Sequence, residues 1–144
     1  MPHRSRLDTQ IMNVSEVARE AGVTAHTVRY YTRVGLLKPQ RDPRSKYKKF
    51  ESTDIARLKF ILKARRLGFK LSEIAEIFRR SARRQTPCPM VREIVERRIA
   101  EFSAHLDAVV AFLDRMKRAL AKWERMPDSM PNGQAVCVLI EATE

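Results

Sequence analysis

Apolar side chains in the second half of the chain recur at alternating intervals of four and three residues. This spacing is a heptad repeat, the pattern of a helix whose apolar positions form one continuous stripe. After Pro89, which suits the first turn of a helix, no glycine or proline interrupts the repeat. The pattern therefore predicts a helix over residues 87–125. Its seam positions are Val95, Ile99, Phe102, Leu106, Val109, Leu113, Met116, Leu120 and Trp123.

A helix of that length with a single apolar seam needs a partner to cover the seam. One possibility is that the helix folds back on the first half of its own chain. The regularity of the repeat favours the other possibility, a symmetric dimer in which two such helices form a coiled coil. Bulky Phe102 and Trp123 suit an antiparallel pair, but the sequence alone leaves the orientation open.

Shorter apolar faces in the first half predict two helices joined by a tight turn. Ser15 and Thr24 are the predicted N-caps, because a hydroxyl there accepts a hydrogen bond from a free backbone N–H. Gly22 and Gly35 end the two helices. This arrangement predicts a helix-turn-helix, whose second helix lies in the DNA major groove. The two apolar faces are Val17, Ala18 and Ala21, followed by Val28, Tyr31 and Val34.

The elements that follow complete a small domain. Gln40–Lys49 is rich in cations and contains a proline, which predicts a loop or a short hairpin wing beside the recognition helix. A third helix is predicted from Ser52 to Gly68 and a fourth from Ser72 onward, with Phe69 packing back between them. Their apolar faces, which we assign to the core, are Ile55, Leu58, Ile61 and Leu62, and then Ile74, Ile77 and Phe78.

These elements divide the chain into four parts and predict a mainly α fold. Residues 1–11 are polar and patternless, which predicts a disordered N-terminal tail. Residues 12–86 form the winged-helix domain, and residues 87–125 form the dimerisation helix. Residues 126–144 form a loop and a C-terminal tail, whose apolar end docks as a short helical turn or strand.

The charge of the chain is concentrated in its first part. The whole chain has a net charge of +12; residues 1–86 carry 21 lysines and arginines against 8 acidic residues, and residues 87–144 carry 8 against 9. A basic module joined to a near-neutral one indicates a nucleic-acid-binding domain with a second module of another function. No segment has the length of a membrane span or the core of a signal peptide, so we expect a cytoplasmic protein without a membrane partner.

The candidate DNA-contacting residues lie on the second helix and in the wing. Arg29 can form a forked hydrogen bond to a guanine edge or a phosphate, and tyrosine hydroxyls can donate to phosphates. His26 lies near a groove-facing position, although an exposed histidine without a role is an equal alternative. The predicted set is Ser15, Thr24, His26, Arg29, Tyr30, Tyr31, Arg44, Tyr47, Lys48 and Lys49.

Several segments together resemble the MerR family of bacterial transcription regulators, nearest to its metal-responsive branch. Val14–Thr24 and Thr27–Leu37 resemble the helix-turn-helix of that family, and Ala64–Ile74 resembles its second wing. Tyr47–Phe50 lies where the first wing carries a Tyr-Arg-x-Tyr pattern; Lys48 and Phe50 depart from it, and the loss of a forked guanidinium weakens a phosphate clamp.

The resemblance implies how such a chain would work. It implies a winged-helix dimer, joined by an antiparallel coiled coil, on a pseudo-palindromic operator in an over-long promoter spacer. Effector binding to residues 126–144 would then distort the DNA so that RNA polymerase engages both promoter elements. A DNA-architectural accessory protein without an effector is an alternative, because excisionase-like modules share the winged helix. An enzyme is not expected, because no carboxylate pair, nucleophile triad or phosphate-binding glycine loop is present.

Two cysteines are the candidate effector ligands. In a reducing compartment a reactive or metal-binding role is favoured over a structural disulfide. The resemblance implies that Cys88 of one chain approaches Cys137 of its partner, where thiolates would bind Cu(I), Zn(II), Cd(II), Pb(II) or Hg(II). Trp123 stands where three-thiolate sensors carry a cysteine, and the paired loop cysteines of copper sensors and the four-cysteine cluster of iron–sulfur sensors are absent. A thiol- or redox-responsive regulator and an organic effector therefore stay open.

Overall fold

The computed structural model describes residues 11–144, so the predicted disordered tail falls almost entirely outside the described residues. The described part is mainly helical and separates into two compact units, one ending at Ile94 and the other covering Val95–Glu144. In the described part of the chain, no helix is long and apolar enough to cross a membrane. The elements in chain order are α1 (Val14–Ala21), α2 (Ala25–Arg33), β1 (Gln40–Arg41), β2 (Lys48–Lys49), α3 (Ser52–Arg66), α4 (Leu71–Ala82), α5 (Cys88–Trp123) and α6 (Val138–Glu141).

The helix-turn-helix is present, with the N-cap of its first helix two residues earlier than predicted. Asn13, not Ser15, is the N-cap of α1, and its Oδ1 accepts a hydrogen bond from the Glu16 N–H at 2.9 Å. Asparagine is as good an N-cap as serine. The helix therefore begins after Asn13, and Ser15 falls within its first turn. Gly22 ends the helix in the left-handed region, at a φ of 70°, which glycine adopts without steric cost.

Helix α2 is capped at Thr24 as predicted. The Thr24 Oγ1 accepts a hydrogen bond from the Thr27 N–H at 3.1 Å. The helix ends at Arg33, so Val34 is only its C-cap residue and is 44% exposed rather than part of the apolar face. The prediction for Val34 was wrong because Val34, six residues after Val28, lies about 240° around the helix axis from it and so faces away from the core.

The wing is a short antiparallel hairpin. Strands β1 and β2 pair with Gln40 opposite Lys49 and Arg41 opposite Lys48. Lys46 sits in the loop at a φ of 60°, in the left-handed region that turns use. Beyond the hairpin, Met12 and Phe50 exchange two backbone hydrogen bonds of 2.8 Å, which joins the segment before α1 to the end of the wing.

The N-caps of α3 and α4 also lie before the predicted serines, by one residue for Ser52 and by two residues for Ser72. The N-cap of α3 is Glu51, whose backbone N–H donates to Asp54 Oδ2 at 2.9 Å. The N-cap of α4 is Lys70, whose backbone N–H donates to Glu73 Oε1 at 2.7 Å. In both cases an acidic residue in the first turn satisfies the cap backbone, a contact that a serine-based prediction does not weigh.

The core of the first unit brings together the predicted apolar faces of α1 to α4. Phe69 is buried after the α3 end, as predicted, and Ile94 extends the buried set to the start of α5. Leu36 and Leu37, in the connection between α2 and the wing, are also buried. The fully buried side chains of this core include Val17, Val28, Leu37, Phe50, Leu58, Ile61 and Ile74.

The heptad repeat forms one uninterrupted helix. Helix α5 has 36 residues, close to the predicted 87–125, and Pro89 lies in its first turn. A loop follows, and α6 is the short helical turn predicted at the end of the chain. Lys122 Nζ donates to the Ala142 carbonyl at 2.6 Å, so the tail returns to the last turn of α5.

Candidate nucleic-acid interface

Helix α2 presents a row of polar side chains to solvent. His26, Arg29 and Tyr30 are exposed, on the face away from buried Val28. The Arg33 guanidinium lies 5.6 Å from the centroid of the Tyr30 ring. Arginine and tyrosine donors on one exposed face suit the base edges and phosphates of a duplex.

Tyr31 is not part of that row. It is only 7% exposed, and its ring lies at a tilt to the Tyr30 ring, with centroids 5.5 Å apart. Its backbone carbonyl accepts hydrogen bonds from both Leu36 and Leu37. We therefore assign Tyr31 to the core of the helix-turn-helix and not to the DNA-facing surface.

The two predicted hydroxyl contacts lie at helix N-termini. Ser15 is exposed in the first turn of α1, and Thr24 is exposed at the N-cap of α2. The Thr24 hydroxyl also shares a hydrogen bond of 2.9 Å with the Thr27 hydroxyl. Free backbone N–H groups at a helix N-terminus favour the binding of phosphate. Phosphate contacts from Ser15 and Thr24 therefore suit these positions and stay predictions.

The wing carries the remaining predicted contacts. Arg44 is exposed in its loop, and Tyr47 is 76% exposed beside it. Lys48 and Lys49 are half-buried, and Lys49 Nζ lies 3.2 Å from Asp42 Oδ2. Arg44 and Tyr47 are thus free to meet a phosphate backbone, whereas Lys49 already has an anionic partner.

Asp42 organises this hairpin, and the sequence analysis did not single it out. Its Oδ1 accepts a hydrogen bond from the Arg44 N–H at 2.9 Å, and its backbone N–H donates to the Tyr47 carbonyl at 2.9 Å. The hydrogen bond from Arg44, followed by that from Lys49, lowers the pKa of the Asp42 carboxyl below its usual value. An aspartate directly before a proline in a polar segment is the signal that could have found it.

Both cysteines are free thiols. Cys88, the first residue of α5, is exposed and borders an apolar pocket of about 650 Å³ lined in part by Phe60, Leu67 and Val91. Cys137, at the start of α6, is half-buried. Within residues 11–144 of one chain, no three histidine, cysteine, aspartate or glutamate side chains lie close enough to hold a metal ion. Sulfur donors suit a soft ion, but a closed site would need donors from elsewhere.

The seam of α5 is largely uncovered in the single chain. Seven of its side chains are between 44% and 66% exposed, and Val110 and Phe112 beside the seam are exposed as well. A continuous exposed apolar stripe of this length marks an interaction surface. The seven are Ile99, Phe102, Leu106, Val109, Leu113, Met116 and Leu120.

Comparison with known proteins decides the family. Residues 12–81 match the model of the MerR HTH family regulatory protein, and residues 55–123 match that of the MerR DNA-binding region. The HTH-type transcriptional regulator ZntR of Escherichia coli (strain K12) is 30% identical over 132 residues, 91% of each chain. The chain belongs to the MerR family. A second relative, heavy metal-dependent transcription regulator 2 of Rhizobium meliloti (strain 1021), is 30% identical over 76% of this chain and 71% of that protein.

A solved MerR structure has the same fold. The transcription regulator PbrR691 from Ralstonia metallidurans CH34, in complex with lead(II), superposes with a TM-score of 0.67 at 23% identity, over 91% of this chain and 98% of that one. As a MerR-family member, the present chain is a DNA-binding transcription regulator and not an enzyme. The family, the helix-turn-helix followed by a long helix, and the regulatory function are thus confirmed.

Proposed function

We propose that this MerR-family regulator binds, as a dimer, a pseudo-palindromic site in a promoter spacer and controls RNA polymerase by distorting the DNA. The exposed Arg29–Tyr30 face of α2, followed along the chain by a cationic hairpin in the same compact unit, supports the contact with DNA. Deformation of a duplex costs energy that depends on its sequence, so a regulator of this type acts through DNA shape as well as through base contacts. Since promoter DNA is the partner, we place the protein in the cytoplasm.

Arg29 tests the recognition helix. A duplex selected by the parent chain from a random pool would serve as the probe, and its sequence should be pseudo-palindromic. Arg29→Ala should weaken binding by about 1–3 kcal/mol per lost base contact and relax the base preference at one position of each half-site. The matched control is Arg19→Ala, which removes an exposed arginine of α1. Equal binding by Arg29→Ala and the control, measured by fluorescence anisotropy, would remove α2 from the interface.

The exposed seam supports an antiparallel homodimer. The seam from Val95 to Trp123 has its midpoint at Val109, so a two-fold axis near Val109 would pair Phe102 of one chain with Met116 of the other. Sulfur–aromatic contacts of this kind are favourable. Exposed Val110 and Phe112 would widen the apolar surface at the centre of the pair, where both helices contribute them.

The cysteines support a thiophilic metal ion as the effector. Cys88 of one chain, together with Cys137 of its partner, would supply thiolates for a soft ion such as Cu(I), Zn(II), Cd(II), Pb(II) or Hg(II). An ion bound by both thiolates would link the two chains of the dimer. Asp128, Met126 and Met130 of the same loop are additional donors available to it. The heavy metal-dependent regulator among the relatives and the lead(II) complex of PbrR691 favour this class of effector without selecting an ion.

Metal titration of the reduced protein tests this effector. Each of the five ions would be titrated against a chromophoric chelator, with the parent, Cys88→Ser and Cys137→Ser in parallel. Both substitutions should weaken binding of the same ion, because each removes one thiolate. Ser103→Ala, which changes an exposed residue of α5, is the control. If Cys88→Ser binds every ion as tightly as the parent, the shared thiolate site does not exist.

A thiol-responsive regulator is the second candidate. Exposed Cys88 in the lining of an apolar pocket favours it, because an organic electrophile could reach that sulfur. In this case N-ethylmaleimide should change transcription from the target promoter while metal ions do not. A DNA-architectural protein without an effector would bind the same duplex but respond to neither treatment.

A further inference from the structure

Arg57 connects three parts of the first unit. It lies in α3, half-buried, and its Nε donates to the backbone carbonyl of Leu36 at 2.6 Å. Leu36 belongs to the connection between α2 and the wing and is itself buried. The hydrogen bond therefore runs from α3 to the point where the chain leaves the recognition helix.

The same guanidinium also contacts α4. Its Cζ lies 3.7 Å from the centroid of the Phe78 ring, within the range of a cation–π contact. Phe78 packs in turn on Phe60 of α3, with ring centroids 5.3 Å apart. Burial lowers the pKa of Arg57, although Asp54 nearby acts in the opposite direction. A planar guanidinium can donate from its edge and offer its face to a ring at the same time, whereas a lysine ammonium has no planar face.

Arg57, with the Leu36 carbonyl on one side and the Phe78 ring on the other, forms a bridge within the first unit. Each end of this bridge leads to a candidate DNA-contacting surface. On one side are α2 and the wing. On the other is the α3–α4 turn, which carries exposed Arg66 and Lys70. Arg65 Nη1 donates to the Phe69 carbonyl at 2.9 Å and so holds that turn in shape. For both surfaces to meet one duplex, the angle between the helix-turn-helix and the α3–α4 pair has to be fixed.

We infer that Arg57 is a positioning residue of the DNA interface, which holds the α3–α4 turn at the angle at which Lys70 reaches the duplex bound by α2. The inference rests on the DNA-binding function proposed above. It assigns no DNA contact to Arg57 itself. Its role is exerted through the Leu36 carbonyl and the Phe78 ring.

A double-mutant cycle in DNA affinity tests the inference. Lys70→Ala should weaken binding of the selected duplex about fivefold in the parent, the loss of one phosphate contact. In the Arg57→Gln background the same change should weaken binding less than about twofold, because the turn no longer reaches the DNA. Phe78→Leu, which keeps an apolar side chain but removes the ring, should uncouple Lys70 in the same way. It also replaces Arg57→Gln if that variant does not fold.

The control background is Lys59→Gln, which changes an exposed lysine of α3 outside the bridge. In this background Lys70→Ala should weaken DNA binding as much as it does in the parent. Urea unfolding should show all variants fully folded under the binding conditions, because a merely destabilising change would give additive effects on affinity. Additivity in both the Arg57→Gln and the Phe78→Leu backgrounds would overturn the inference. So would a Lys70→Ala change without effect in the parent, whereas failure of the DNA-binding function would appear separately, as unchanged binding by Arg29→Ala.

Discussion

Two neighbouring tyrosines have different roles because successive residues of a helix point about 100° apart. Tyr30 is 37% exposed and lies in the polar row of α2, whereas Tyr31 is buried and accepts backbone hydrogen bonds through its carbonyl. The same residue type is thus open to solvent at one position and packed in the core at the next.

Truncation of the two tyrosines should therefore affect different properties, the stability of the fold for Tyr31 and the affinity for DNA for Tyr30. Tyr31→Ala should lower the free energy of unfolding by about 3–5 kcal/mol, as large aromatic truncations in a core do. Tyr30→Ala should change the free energy of unfolding by less than about 1 kcal/mol and weaken DNA binding instead. Urea denaturation and anisotropy on the selected duplex measure the two effects. Equal destabilisation by both variants would contradict the assignment of Tyr31 to the core.

Single residues also show where prediction from the sequence stops. The burial of Val17, Val28 and Leu58 follows from helical periodicity, because each apolar position repeats on one face. The roles of Asp42 and Arg57 do not follow from periodicity, because their partners are backbone groups and side chains that meet only after the chain folds. Tyr31 was predicted both for the apolar face of the second helix and for a phosphate contact, because its ring suits a core and its hydroxyl suits a phosphate; its burial favours the first.

At the scale of elements, the wing is small and depends on few contacts. Its strands have two residues each, and a two-stranded hairpin of that length is marginal in water. The Asp42 carboxylate adds a hydrogen bond to the Arg44 N–H and an ion pair to Lys49. The element was predictable as a loop or hairpin from its cations and proline, but its register was not.

Asp42 should titrate below the usual range. Because its pKa is lowered by folding from 3.8, the stability that its carboxylate contributes is present above that value and is lost as the pH falls through the lower folded pKa. The wing should therefore be insensitive to pH at neutrality and loosen only in acid. Carboxyl-carbon NMR would follow the titration, with Lys49→Ala moving the midpoint upward. A midpoint at or above 3.8 in the parent would contradict the hairpin contacts.

At the scale of the whole molecule, charge and apolar surface are separated along the chain. The net positive charge lies in residues 1–86, and the exposed seam lies in α5. Heptad periodicity predicted this helix well, because a stripe of fixed spacing is readable from one sequence. A single chain does not reveal its partner helix, so the dimer remains a proposal.

A charge placed on the seam should separate the proposed dimer. Leu113→Glu would bury a carboxylate between two apolar helices, which is costly without a partner. Sedimentation at micromolar concentration should show one copy for Leu113→Glu and two for the parent. Ala108→Glu, an exposed position of α5 off the seam, should stay dimeric. A dimeric Leu113→Glu would place the interface elsewhere.

The chain has one tryptophan, Trp123, the last residue of α5, where the helix gives way to the C-terminal segment. Its Nε1 is buried and has no hydrogen-bond partner among residues 11–144. Indole fluorescence responds to hydration and to nearby quenchers, so the intrinsic emission of the unlabelled protein reports on this one junction. Rearrangement of the C-terminal segment on meeting an inducer would thus register as a change in colour or brightness, in real time and without a dye.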